Sequence, residues 1–68
     1  MFKVFKITPL TETTKGIESL VQSDSKENAL KLYATMHGIE ANGVEYIEGN
    51  EYCLKCSDDA IIYNVEDK

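Results

Sequence analysis

At 68 residues, 43% of them apolar, the chain can bury one small hydrophobic core and has no room for a second domain or a deep substrate cleft. Its formal charge of −5 comes from 12 acids against 7 lysines with no arginine, which disfavours direct nucleic-acid binding because phosphates and base edges are held by Lys and Arg. The charge is uneven: residues 1–38 hold five Lys and four acids (+1) and residues 39–68 two Lys and eight acids (−6), so the second half presents a negative field to a basic partner.

Met1–Thr8, rich in Phe, Val and Ile, reads as a strand stopped by Pro9. A polar turn over 10–16 leads to a second strand over Ile17–Gln22, and together they form an antiparallel hairpin. Asp24, followed three residues later by Glu27, is the pattern of a helix N-cap. Ala29, Leu30, Tyr33, Met36 and His37 then share one face at helical spacing, and Gly38 ends the helix as a left-handed cap with Ile39 folded back on the last turn.

Asn42-Gly43 is a turn signal, Val44–Glu48 a strand, Gly49-Asn50 a two-residue hairpin turn and Glu51–Cys56 a strand. Asp58-Asp59 turns the chain into a last strand, Ala60–Val65. Tight turns set Ile47 opposite Tyr52 and Cys56 opposite Ile61. One face then collects Ile47, Tyr52, Leu54, Cys56, Ile61, Tyr63 and Val65, and the other Val44, Tyr46, Cys53, Lys55, Ile62 and Asn64, rimmed by Glu48 and Glu51. The expected fold class is α+β: a single small domain over residues 1–68 in ββαβββ order, an antiparallel sheet with one helix packed on one face.

Cys53-Leu54-Lys55-Cys56 is a C-x-x-C, but in a strand, positions i and i+3 point to opposite faces, and zinc needs four ligands where the chain has a single His, His37. Ordinary reduced strand cysteines are therefore expected, with no metal or other cofactor; a small zinc-binding domain on Cys53 and Cys56 is the alternative. His37 has neither a nucleophile nor a paired carboxylate arranged around it, and the glycines form no phosphate-cradling loop, so the chain is not read as an enzyme. No run of about 20 apolar residues spans a bilayer and the N-terminus lacks a signal-peptide core, which makes cytoplasmic residence the expectation.

A small core leaves stability to be completed by a partner. The expected contact surface is the outer sheet face, where Val44, Tyr46 and Ile62 supply area and Glu45, Glu48, Glu51, Asp58 and Asp59 supply a charged rim. Self-association of the same face into a homodimer is the competing reading.

From Ile17 to Tyr63, a strand leading into "SDSKENALKLY" and then a meander resembles very small proteins encoded by bacterial viruses and mobile elements, and is similar in outline to certain anti-CRISPR proteins. The resemblance covers element order and the phrase that opens the helix. It implies a counter-defence or host-takeover protein, resident in the host cytoplasm, that binds a host protein with a basic surface and inhibits it. Unlike members that imitate DNA, this chain interleaves its acids with Lys in the first half.

Overall fold

The structure, a computed structural model, describes residues 2–10 and 18–68. Most of the turn expected over 10–16, and Met1 and Ile17, lie outside the described residues. Among the described residues five strands and one helix follow in the expected ββαβββ order: β1 Lys3–Pro9, β2 Ser19–Ser23, α1 Lys26–Met36, β3 Ala41–Glu48, β4 Glu51–Cys56 and β5 Ala60–Asp67. The strands form one antiparallel sheet in the order β2-β1-β5-β4-β3, so the N-terminal hairpin joins the C-terminal meander by pairing β1 with β5. Leu10 extends that seam by donating its backbone N–H to the Ile62 carbonyl.

The helix begins one residue later than its cap signal suggests. Ser25, not Asp24, is the N-cap: its extended backbone lets Oγ accept from the Asn28 amide. Asp24 instead accepts from the Asn28 side chain at 2.9 Å, a hydrogen bond that is the main reason its carboxyl is held below the usual range. The C-terminus follows expectation. His37 is the C-cap, Gly38 takes φ +69° and bonds the Thr35 carbonyl, and Ile39 bonds the Ala34 carbonyl, the double closure of a Schellman turn. Met36, expected on the buried face, is 63% exposed; Ala34 takes the buried place instead, because the apolar face is centred on Leu30 and Tyr33.

Cross-strand partners share a face, and one face carries every buried strand residue: Phe5, Ile7, Val21, Ser23, Leu54, Ile61, Tyr63 and Val65. Their apolar members form a single core cluster with Ala29, Leu30, Tyr33 and Ala34 of α1 and with Ile39. At its centre the Tyr33 and Tyr63 rings meet edge to face, 5.2 Å apart, a geometry that contributes about 0.5–1.5 kcal/mol beyond the area the rings bury.

Register corrects the sequence reading of β3. Tyr46, not Ile47, stands opposite Tyr52, and Val44 stands opposite Leu54. The pairing slips between Tyr46 and Glu48, and again between Ala41 and Gly43, where a turn was expected and a strand with a bulge is found. Val44 and Tyr46 therefore share the face of Leu54 and Tyr63, while Glu45 shares the opposite face with Cys53 and Ile62. The expected outer patch of Val44, Tyr46 and Ile62 does not exist as one surface.

Candidate functional site

The side chains singled out in the sequence divide into three groups. Tyr46 and Val44 lie on the core-bearing face of edge strand β3, opposite Tyr52 and Leu54. Tyr46 is 57% exposed; its ring meets Tyr52 edge to face at 5.2 Å, and the bulged neighbour Ile47 is 42% exposed. Glu48 and Glu51 pair across the turn just beyond it, on the opposite face with Asn64, and there Gly49 adopts φ +56° as the first residue of a tight hairpin. Lys26, at the start of α1, donates to the Asn50 side chain at 2.7 Å and ties the helix N-terminus to this turn. Burial, with smaller contributions from Tyr46 and the Glu27 carboxylate, raises the Tyr52 hydroxyl pKa.

Glu45 and Ile62 belong to the opposite face, on one cross-strand row with Cys53. There Glu45 and Lys55 form an ion pair at 3.0 Å, and the hydrogen bond and charge of Glu45 raise the Lys55 pKa. Both partners are solvent-exposed, so the pair orients side chains more than it stabilises the fold.

Asp58 and Asp59 lie beyond the far end of β4 from Glu51, where the Asp59 carbonyl accepts from the Cys56 backbone N–H. They border an open cavity of about 350 Å³ with Gly38, Ile39, Glu40, Cys56 and Ser57. Among the described residues no three His, Cys, Asp or Glu side chains are placed to hold one metal ion. Cys53 and Cys56 are not joined in a disulfide; Cys53 shares the face of Ile62, and Cys56 packs against the core.

A second cavity, of about 250 Å³, was not foreseen. It lies between α1 and β3, with Lys31, Ala34, Thr35 and Ile39 on one side and Ala41, Asn42, Gly43 and Val44 on the other. The one sequence signal for it is Asn42-Gly43, which marks a bulge where it was read as a turn. His37 shares a 3.2 Å hydrogen bond with Ser19 of β2 and packs on the Tyr33 ring, and neither Ser19 nor His37 borders either cavity.

No family model, curated protein or solved structure matches the chain. Among the described residues no helix is long and apolar enough to cross a membrane.

Proposed function

We propose that this chain is a non-enzymatic protein-binding module in which α1 roofs one face of the sheet and the contact surface is the β3 edge, centred on Tyr46 and Ile47 and bordered by Glu48 and Glu51. The observation that carries this reading is the exposure of an aromatic and a β-branched side chain side by side on an edge strand, beside acids of the chain half that carries −6. An aromatic anchor with a charged rim is the usual build of an interface hot spot. The acidic rim fits a partner with a basic surface, and binding there would inhibit a partner whose own basic surface is its working site. Glu45, Ile62, Asp58 and Asp59 lie outside this patch and are not assigned to it.

The experiment is affinity purification from bacterial lysate with the native chain and with a Tyr46→Ala, Glu48→Lys double variant. The reading expects a discrete partner on the native chain, released by salt and absent from the variant. Equal recovery by both, or no partner on either, overturns it.

Self-association is the second reading, favoured by Val4 and Leu20, which stand exposed on neighbouring strands of the outer face. Sedimentation at micromolar concentration separates the two, a strict monomer ruling this one out.

A further inference from the structure

From the cavity beside the free edge of β3 we infer the mode of binding: an extended, basic peptide segment of a partner adds as a sixth strand along Gly43–Tyr46 and places an aliphatic side chain in the cavity between β3 and α1. The inference rests on the protein-binding reading above and gives that surface its mechanism.

Three observations converge. First, β3 is an edge of the sheet, and an edge strand turns a row of backbone N–H and C=O groups to solvent. Between its two irregularities β3 pairs regularly with β4 from Gly43 to Tyr46, so the free side of that stretch carries the spacing an added strand needs. Second, the cavity of about 250 Å³ opens beside residues 41–44 and so overlaps this stretch at Gly43 and Val44; Ala34, Ile39, Thr35 and Lys31 complete its lining. Alternate side chains of an added strand face the helix side, so one enters the cavity while the next but one approaches the exposed Tyr46 ring. In this mode backbone hydrogen bonds supply affinity and the pocket supplies selectivity.

Third, charge selects the occupant. Glu40 and Glu48 lie next to and at the end of β3, in the half of the chain that carries −6. A second copy pairing edge to edge would bring the same acids against them, and the bulges shorten the ladder it could form. A segment with Lys or Arg on either side of one aliphatic residue meets the edge without that repulsion.

The test is a titration of the nitrogen-15-labelled full chain with an amidated hexapeptide, Lys-Val-Lys-Leu-Lys-Val, and with its Glu-for-Lys counterpart, followed by amide chemical shifts. The basic peptide is expected to move the amides of Ala34, Thr35 and residues 41–46 in a saturable way and to weaken several-fold when ionic strength rises from about 50 to about 500 mM. Thr35→Trp, at an exposed helix position, is expected to fill the cavity and lower affinity about tenfold or more with the remaining spectrum retained. Lys31→Glu, which adds negative charge at the rim, is expected to tighten binding of the basic peptide. Equal binding of the acidic peptide, indifference to both substitutions, shifts confined to the Asp58 end, or dilution-dependent shifts of residues 41–46 without peptide, the sign of a second copy, each overturns the inference. A chain that still captures a partner through Tyr46 and Glu48 but fails here keeps the binding reading and loses the strand-addition mode; a chain that captures nothing loses both.

Discussion

Tyr46 and Tyr52 face each other across β3 and β4 with ring centroids 5.2 Å apart and planes inclined at 63°, yet one ring is largely exposed and the other half-buried. Tyr46 is thus an exposed ring held in place by a partner that is itself anchored on the core. Tyr46→Ala is expected to cost about 1 kcal/mol or less, the loss of one edge-to-face contact, whereas Tyr63→Ala, which empties the centre of the core, costs about 3–5 kcal/mol. Urea unfolding of both variants checks the contrast, and near-equal losses would show that Tyr46 is a core residue.

The helix caps give a sharper comparison. Ser25→Ala is expected to lose about 1 kcal/mol because the Asn28 amide is left without its acceptor. Asp24→Asn, by contrast, keeps an acceptor for the Asn28 side chain and should change neutral-pH stability less. If the order is reversed, the cap belongs to Asp24.

Gly38 holds a left-handed backbone with open space where a Cβ would be, so the cost of a side chain there is conformational rather than steric. Gly38→Ala is expected to destabilise by about 1 kcal/mol. Thermal unfolding reads it, and an unchanged midpoint would mean that the Schellman closure is absent in solution.

Two groups give opposite pH dependences. The Asp24 carboxyl pKa is depressed in the fold by its hydrogen bond to Asn28, so its contribution is present above the ordinary value of 3.8 and is lost as pH falls through the folded value. The Tyr63 hydroxyl pKa is raised, chiefly by burial and then by its neighbour Tyr33. Above the ordinary value of 10.0 the unfolded chain releases a Tyr63 proton that the folded chain retains, so stability falls as pH climbs beyond that point. Tyr63→Phe should make the alkaline limb of a stability profile shallower, with Tyr33 and Tyr52, whose hydroxyl pKa values burial also raises, keeping part of it, and leave the acid limb unchanged; an unaltered alkaline limb counts against the burial of the Tyr63 hydroxyl.

Much of the fold is legible in the chain because its signals are local. The Gly38 cap, the helical spacing from Ala29 to Tyr33 and the Gly49-Asn50 turn each specify their element without reference to the rest. The pairing of β1 with β5 is not local, and nothing near Phe5 or Val65 announces it. Register shows the difference most clearly. Between β4 and β5 the chain pairs Ile61 with Leu54 rather than Cys56, a shift of two residues that leaves each side chain on its expected face. Between β3 and β4 the shift is one residue, Tyr46 for Ile47 opposite Tyr52, and a shift of one inverts the strand. That bulge moves Val44 and Tyr46 to the face of Leu54 and Tyr63 and dissolves the expected outer patch.

Every functional inference therefore depends on which way β3 faces. Cross-strand nuclear Overhauser contacts in the isolated chain measure this directly. Contacts are expected from the Tyr46 ring to the Tyr52 ring and from Val44 to Leu54. Contacts from Ile47 to Tyr52, with Tyr46 seen instead against Cys53 and Ile62, would contradict this orientation.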